Sequence, residues 1–571
     1  MKSTTVTLAG LALASSLHAQ GFKTAEFPYM AGQASGDFNY EPLVTVGDRV
    51  PLTGDATKSF AMAGIPDASG IYRDRVTGEI ILFCAHEVGQ DILSTAIPGE
   101  TPFRGAYVSR YVLNNDGSVK SGNVAYTQVF KENALWGATP RSGAPSGFTR
   151  FCSGSFAGPA HGLDRPMFLT NEETFGSAQF STITAANPTG DGLGAQSVAI
   201  FDGKMHTLPA LGRVGRETTI VQPRRDAKTV IISTEDAGAP SYVYMYVGTK
   251  LRRSASGLDK NGLTNGETYV LCSTAQQDNE GTFTSGSLPV QWRKINNAKT
   301  LSDQGMIDAA DALGAFGFVR VEDAEFDPSA PSRNLFLATT GGSFSNRLGR
   351  LYQLTMNPTN PEAAGTLSVV YNADTIITPG GSYAGAVAGS LIDPDGAGPL
   401  AAPGSLGTYS GGDINAGIDY PVSIDNIAVS QDFIICQEDR NSPADAVFTK
   451  YARNGAIWTL DRNNGNQAKL QSTFNYAQIQ ARDGHGPLTP GLWESTGVIA
   501  TDEFFGPGTF ITFVQAHSQS NVYPVTNPVQ YRGSIRSNMP DGNGGFLTRT
   551  QARALYTEDG QILLMRPKQP N

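Results

Sequence analysis

Acidic residues follow four short apolar segments of this sequence. Residues 80–83, 167–169, 230–232 and 433–435 lead into Glu87, Glu172-Glu173, Glu235-Asp236 and Glu438-Asp439. Carboxylates held close together raise one another's pKa, so such clusters face water, pair with Arg or Lys, or bind a cation. Hard cations such as calcium take several oxygen ligands with flexible geometry. Because the pattern recurs, it favours a shared cation site over separate solvated turns.

The segments before these acids have the length and composition of buried β-strands. They are consecutively apolar and rich in β-branched and aromatic residues. About six such hairpins recur along the chain, which fits either stacked sheets or a radial arrangement. In a propeller, equivalent strand ends converge on one channel and can bring together carboxylates from distant parts of the sequence. We therefore predict an all-β fold, a β-propeller of about six blades with irregular insertions and few short helices.

The composition agrees with a turn-rich β-protein. The chain has 571 residues with 65 Gly and 33 Pro, and only residues 302–313 show convincing helical periodicity. The net charge of −10 is spread along the chain and argues against nucleic acid or an anionic membrane as the main partner. We expect one domain over residues 20–571, present as a monomer.

The N-terminus has the pattern of a signal peptide at residues 1–19. Lys2 precedes an apolar stretch at residues 6–17, and Ala19 lies at the expected cleavage position. The stretch is too short to span a bilayer, and no later segment approaches the required length. The alternative is an apolar N-terminal strand. We expect a secreted or periplasmic protein without an integral membrane span.

Other catalytic patterns are missing from the sequence. The four cysteines, Cys84, Cys152, Cys272 and Cys436, form no C-x-x-C pair, and they are either disulfide-bonded or isolated buried thiols. The histidines form no H-x-x-x-H pair, so a zinc site has little to build on. No Gly-x-Ser-x-Gly elbow occurs, so a serine hydrolase is unsupported.

In these segments the sequence resembles the PhoX family of exported alkaline phosphatases, and more closely its phosphatase-like branch. The resemblance extends over residues 69–517 and rests on the shared order of many short segments. They are residues 83–87, 149–153, 169–173, 211–218, 229–236, 242–248, 262–266, 320–323, 425–426, 437–439, 493–497 and 515–517.

The resemblance implies a β-propeller with calcium and iron ions in its channel that hydrolyses phosphate monoesters without a protein nucleophile. Metals in such a site neutralise carboxylates, polarise phosphoryl oxygens and stabilise the displaced alkoxide. A small phosphate ester is therefore the expected partner. The family's acidic motifs predict metal ligands at Glu172, Glu173, Glu217, Glu235, Asp236, Glu322, Asp323 and Asp425.

Two positions depart from the family pattern. Asn171 stands where the family has its iron-ligating cysteine, and Arg216 stands where it has the histidine before Glu217. A neutral amide oxygen is a poor replacement for a thiolate on iron. The first change argues against an iron cluster, whereas calcium binding through the glutamates survives it.

Arg320 is the predicted phosphate contact, because its planar guanidinium suits bidentate binding and its neighbours Glu322 and Asp323 would face the same channel. The alternative is an Arg320 that only pairs with one of those acids. Two functions follow from the sequence. One is an exported calcium-dependent phosphoesterase, and the other is a non-catalytic calcium-stabilised propeller that binds a ligand or an envelope partner.

Overall fold

The computed structural model describes residues 21–138, 147–174, 190–237, 239–342, 346–376, 420–439, 454–483, 492–517, 535–541 and 544–569. The predicted signal peptide, residues 1–19, lies outside these ranges. Most of the described chain forms antiparallel sheets. Their strands are numbered here in the order in which they occur along the chain. The first two strands are β1 (Met30–Gly32) and β2 (Phe38–Thr45).

The next two sheets contain six strands each, and a two-stranded ribbon of β7 and β8 interrupts the first of them. The strands of the first sheet and its ribbon are β3 (Arg49–Leu52), β4 (Asp55–Ala61), β5 (Pro66–Arg73), β6 (Ile80–His86), β7 (Leu93–Ser94), β8 (Phe103–Arg104), β9 (Tyr107–Leu113) and β10 (Val119–Val124). Those of the second are β11 (Gln128–Lys131), β12 (Ala134–Ala138), β13 (Gly154–Ala157), β14 (Met167–Asn171), β15 (Ser197–Phe201) and β16 (Lys204–Thr207).

The third and fourth blades join into one nine-stranded sheet, because their outer strands β21 and β25 pair. The third contains β17 (Arg216–Val221), β18 (Lys228–Glu235), β19 (Val243–Thr249), β20 (Glu267–Ser273) and β21 (Ser287–Ile295). The fourth contains β22 (Val321–Phe326), β23 (Asn334–Thr339), β24 (Arg350–Thr355) and β25 (Gly365–Asn372).

The last two blades each include a strand from the N-terminus. The fifth contains β26 (Ile424–Val429), β27 (Phe433–Glu438), β28 (Ile457–Asp461) and β29 (Gln467–Phe474), and the sixth contains β30 (Leu492–Ala500), β31 (Phe510–His517) and β32 (Asp559–Pro567). Strand β1 pairs with β29, and β2 pairs with β32. The start of the described chain thus covers the outer edges of the two blades nearest its end, which closes the ring.

The innermost strands of the six blades contact one another in a closed circle. In order around this circle they are β5, β13, β17, β22, β26 and β30, with β30 returning to β5. This arrangement is a six-bladed β-propeller, and it confirms the predicted fold class.

The second strand of each blade is buried on both faces, as its apolar sequence predicts. All residues of β6 are buried, and so are all residues of β14. Aromatic rings stack between the first two blades, with centroids 5.1 Å apart for both Phe83–Phe168 and Tyr72–Phe156. This packing joins the first two blades beside the channel.

Short helices connect the strands. They are α1 (Gly257–Lys260), α2 (Asp303–Ala312), α3 (Ala373–Ile376), α4 (Tyr476–Asp483), α5 (Asp502–Phe505) and α6 (Arg549–Tyr556). Helix α2 confirms the predicted helix, with Ser302 as its N-cap and Met306 and Ala310 buried. Within the described ranges, no helix has the length and apolarity needed to cross a membrane. All four cysteines are free thiols.

Candidate metal centre

Acidic residues lie at the start of the innermost strand in five of the six blades. They are Asp67 in β5, Glu217 in β17, Glu322 in β22, Asp425 in β26 and Glu494 in β30. In the second blade, Cys152 comes two residues before β13. Because the inner strands all run in the same direction along the channel, these side chains meet at one end of it.

A β-bulge follows the first residue of four of these strands. The register with the second strand shifts between Pro66 and Ser69, Arg216 and Thr219, Val321 and Ala324, and Ile424 and Ile427. Each bulge contains one of the acidic residues. A bulge re-aims side chains at the end of a strand, so the four carboxylates turn towards the channel instead of following the alternation of the sheet.

The ends of the second strands contribute a further set of side chains. Glu87, Asp236 and Asp439 directly follow β6, β18 and β27, while Glu173 lies two residues after β14. In the sixth blade the equivalent residue is His517, the last residue of β31. Five of the six blades therefore deliver side chains from two adjacent strand ends to the same place.

All of these residues except Asp67 line a cavity of about 180 Å³ at the mouth of the channel. Asp67 adjoins the cavity, with a carboxylate oxygen within 4.8 Å of ligand atoms of Glu87 and Cys152. We name the nine carboxylates the carboxylate cluster: Asp67, Glu87, Glu173, Glu217, Asp236, Glu322, Asp425, Asp439 and Glu494. Among the described residues of this cavity, the guanidinium groups are those of Arg150 and Arg320. The site is strongly negative.

Four sets of three side chains in the cluster have ligand atoms within 4.8 Å of one another. They are Asp67–Glu87–Cys152, Cys152–Glu173–Glu217, Glu217–Glu322–Asp425 and Asp425–Asp439–Glu494. Each set shares one residue with the next: Cys152, Glu217 and Asp425 in turn. This is the spacing needed for several cations bridged by shared carboxylates.

The electrostatics show that the bare cluster lacks countercharge. Burial, reinforced by neighbouring carboxylates, raises the pKa of six members well above the ordinary range: Asp67, Glu173, Glu217, Glu322, Asp425 and Glu494. The Oδ1 atom of Asp425 is buried and has no hydrogen-bond partner among the described residues. Buried carboxylate oxygens without donors fit cations, and hard cations suit this donor set.

The two arginines partly neutralise the cluster. Arg150 Nη2 lies 2.9 Å from Glu87 Oε1 and 2.5 Å from Glu173 Oε2. Arg320 Nη2 lies 2.7 Å from Glu322 Oε1, and its Nε lies 3.0 Å from Asp236 Oδ1. Two cations cannot balance nine carboxylates, so the excess negative charge requires bound metal ions or bound protons.

Comparison with known proteins identifies the family of this chain. A family model described as alkaline phosphatase PhoX matches residues 201–503, more than half of the chain. The chain belongs to the PhoX family.

A solved structure with a similar fold is Pseudomonas fluorescens PhoX in complex with vanadate, a transition state analogue. The two chains are 13% identical, the alignment covers 96% of this chain and 97% of the other, and the TM-score is 0.56. A structure from the GH130 family of mannoside phosphorylases covers 78% of this chain at 9% identity, but its TM-score of 0.31 is too low to support an argument. The search of curated proteins found no match.

The structure brings together six of the nine residues that the sequence predicts for the site. Glu173, Glu217, Asp236, Glu322, Asp425 and Arg320 all line the cavity at the channel mouth. Arg320 pairs with Glu322, as one of the two alternatives requires, and with Asp236 in place of Asp323. The assignment of these residues as ligands and phosphate contact stays a prediction.

The other three predicted ligands lie outside the carboxylate cluster and have protein donors. Glu172 accepts hydrogen bonds from the backbone amides of Thr149 and Gln196, at 3.0 and 2.9 Å. Glu235 accepts one from the Tyr244 hydroxyl at 3.1 Å.

Asp323 lies on the channel wall below the cluster. It accepts hydrogen bonds from the Thr218 hydroxyl and from the amides of Ala324 and Ile427. Each of the three outlying acids is the immediate neighbour of a cluster member, so adjacent acids have opposite orientations in three blades.

Both departures from the PhoX pattern also lie away from the cluster. Asn171 donates to the Glu217 carbonyl at 3.2 Å and accepts from the Thr219 hydroxyl at 2.8 Å. Arg216 is buried, and its guanidinium donates to the carbonyls of Leu211 and Gly212. Both side chains therefore serve the packing between blades two and three.

Several cluster residues were not predicted as ligands. Glu87 and Asp439 belong to the repeated acids after strands, so the sequence did contain their signal. Asp67 and Glu494 have no such signal, because they lie at the start of inner strands. Arg150 and Cys152 also lack it, because they lie in the loop before β13. The Cys152 thiol donates to Asp67 Oδ2 at 3.3 Å. A thiol is therefore present in the site, although position 171 is an asparagine.

Glu280 supports the segment that carries Arg320. Its carboxylate accepts from the Val319 amide at 2.8 Å and from the Tyr352 hydroxyl at 2.8 Å, and the Asn346 amide also donates to it. Arg320 itself adopts a φ of +51°, which a non-glycine residue holds only when its surroundings fix it. Burial raises the pKa of Glu280 to about 7, although Arg350 and the donors oppose the shift.

This shift predicts a pH-dependent stability difference between wild type and the Glu280→Gln variant. The folded-state pKa lies above the ordinary value of 4.5, so the folded protein favours the protonated acid. Stability is lost as the pH rises through the folded pKa. Between about pH 4.5 and pH 7.5, wild type should lose about 3 kcal/mol of unfolding free energy relative to the variant. If the unfolding free energies of the two proteins changed equally over this pH range, the prediction would be contradicted.

Proposed function

We propose that this chain is an exported metal-dependent phosphomonoesterase whose carboxylate cluster binds calcium. The observation that carries the proposal is the set of nine carboxylates at one end of the propeller channel, in a chain of the PhoX family. A phosphate monoester is itself an anion and would be repelled by the bare cluster. Metal ions reverse the local field, which makes an anionic substrate compatible with an acidic site.

The carboxylates and the arginines of the site have different roles in the proposed reaction. The cluster carboxylates hold the cations in the four three-residue groups, with Glu217 and Asp425 each serving two of them. When bound, the ions polarise phosphoryl oxygens and stabilise a displaced alkoxide. Arg150 and Arg320 contact the phosphoryl group from two sides of the cavity. The side chain of Arg150 is 49% exposed and that of Arg320 is 25% exposed, so Arg150 is the more accessible of the two.

The N-terminal residues have the pattern of a signal peptide, and the PhoX resemblance implies export, so we propose a secreted or periplasmic protein. We propose that it is a monomer. Its substrate is a small soluble phosphate ester.

A hydrolysis assay on the purified protein tests the proposed reaction. Phosphate release from a phosphomonoester is measured for the untreated protein, the chelated protein, and the chelated protein after calcium or iron is added back. We expect turnover that is lost on chelation and restored by metal. No turnover with any metal, combined with chelator-sensitive melting, would leave the non-catalytic calcium-stabilised propeller as the better account.

Cys152 gives the cluster one soft ligand among its oxygens. Its Sγ atom belongs to two of the four ligand groups, and thiolates prefer thiophilic transition metals over calcium. We therefore expect cobalt-loaded protein to show a thiolate-to-metal charge-transfer band, and the Cys152→Ser variant to lack it. Cys272→Ser is the matched control, because that thiol is buried in the third blade. A band that persists without Cys152 would remove it as a ligand.

A further inference from the structure

A second cavity, of about 620 Å³, adjoins the carboxylate cluster. The two cavities share Glu87, Arg150 and His517, which therefore form the boundary between them. Beyond this boundary the wall includes Ile65, Gln90, Ile92, Thr174 and Thr557. We name this space the side cavity. Its volume is typical of sites that enclose small organic ligands.

Backbone strain is concentrated around the side cavity. Ile65, Arg150 and Thr557 line it and have φ values of +50°, +47° and +72°. Left-handed backbone is costly for any side chain with a Cβ, and most so for β-branched residues such as Ile65 and Thr557. Such strain persists where the surroundings fix it, and it is concentrated at ligand sites.

Hydrogen bonds from the first blade hold this strained wall in place. The Ile65 carbonyl accepts from the Glu87 amide at 2.9 Å, and the Arg150 amide donates to the Val88 carbonyl at 3.0 Å. The same two segments carry Glu87 and Arg150 into the carboxylate cluster. The side cavity and the cluster are therefore positioned by one set of backbone contacts.

The charged groups of the side cavity are already paired. Glu87 pairs with Arg150, Asp91 pairs with Arg104 at 2.9 Å, and His517 Nδ1 lies 2.8 Å from Glu558 Oε2. The remaining wall is neutral and combines aliphatic and hydroxyl side chains. Such a surface suits a neutral group with both apolar faces and hydroxyls, because a charged group would find no countercharge of its own there.

We propose that the side cavity receives the alcohol portion of the phosphate ester and favours a bulky, neutral, hydroxyl-bearing alcohol of nucleoside or sugar size. This inference rests on the proposed phosphomonoesterase function. The phosphoryl group lies at the cluster beside Arg150, and the alcohol extends past Glu87 and His517 between Ile65 and Ile92. A small alkyl phosphate would use the cluster alone.

Gly89 offers a direct way to fill the side cavity. A Cβ built on Gly89 meets only Ile92 Cγ1, at an ordinary contact distance of 3.7 Å. The Gly89→Trp variant should therefore fold and occupy part of the cavity. Gly89→Ala is the matched control, since it changes the backbone in the same way without filling the space.

The test compares kcat/KM for a nucleoside 5′-monophosphate and for ethyl phosphate in the metal-loaded protein. We expect Gly89→Trp to lower the value for the nucleotide at least tenfold, while ethyl phosphate changes less than twofold and Gly89→Ala changes neither. Equal losses for both esters, or no loss for either, would overturn the side-cavity proposal and leave the phosphomonoesterase proposal intact. Wild-type protein that hydrolyses neither ester would instead overturn the proposed function, and this inference with it. If Gly89→Trp melts at a lower temperature than Gly89→Ala, the Ile92→Trp variant is used instead. The same ratio of kcat/KM for the nucleotide to kcat/KM for ethyl phosphate then tests the proposal.

Discussion

The Glu322→Gln variant should lose bound metal and hydrolyse phosphomonoesters at least a hundredfold more slowly than wild type. Glu322 lies in the centre of the carboxylate cluster, in one ligand group with Glu217 and Asp425. An amide in its place removes one negative charge and one metal-binding oxygen. Removing a group that stabilises developing charge in a dry site costs a factor of this order or more.

The chain supplies its own matched controls for this prediction. Glu322 and Asp323 are neighbours, but Asp323 accepts three protein hydrogen bonds outside the cluster. Asp323→Asn should therefore lower stability while keeping the metal content of wild type. The pairs Glu173 with Glu172 and Asp236 with Glu235 allow the same comparison in two other blades. Metal content that falls equally for both members of each pair would contradict the assignment of the cluster.

Removing the metal ions should destabilise the whole propeller. The nine carboxylates come from all six blades, so their mutual repulsion acts across every blade interface. An ion present at 100 to 1,000 times its dissociation constant stabilises the folded state by about 2.7 to 4.1 kcal/mol. For several ions the expected loss on chelation is therefore a large part of the stability of an ordinary domain.

Thermal unfolding with and without a chelator measures this effect. We expect a large fall in the melting temperature that calcium reverses. The Glu173→Gln variant should show a smaller fall, because its folded state has less charge for the ions to neutralise, whereas Glu172→Gln should respond like wild type. A melting temperature that is insensitive to chelation would show that protons or arginines alone balance the cluster.

The sequence predicts the scaffold well because buried second strands have a strong local signal. Runs such as residues 230–232 are apolar at consecutive positions, and the structure buries all residues of the four predicted runs except Phe433, which is half-buried. The six-fold repetition of these hairpins, and the convergence of their ends, follows from that signal. The inner strands contain fewer apolar residues. The acids near their starts, such as Asp67 and Glu494, therefore have no apolar run beside them that marks them in the sequence.

The choice between adjacent acids could not be made from the sequence. Neighbouring residues at a strand end face opposite sides, and a shift of one residue in register exchanges them. For Glu322 and Asp323 the bulge at the start of β22 decides the outcome, and such a bulge has no reliable local sequence pattern. The thiol of Cys152 shows the same limit, because it reaches the site from the segment before β13, and no acid after a strand marks that segment in the sequence.

The most direct test of this account is a titration of calcium into metal-free protein, with bound ions per chain and phosphomonoester hydrolysis measured on the same samples. The account predicts that wild type binds more than one ion, that hydrolysis rises with occupancy, and that Glu322→Gln binds fewer ions and stays inactive while Asp323→Asn follows wild type. Hydrolysis at full rate in the metal-free protein, or equal ion binding by wild type and Glu322→Gln, would contradict it.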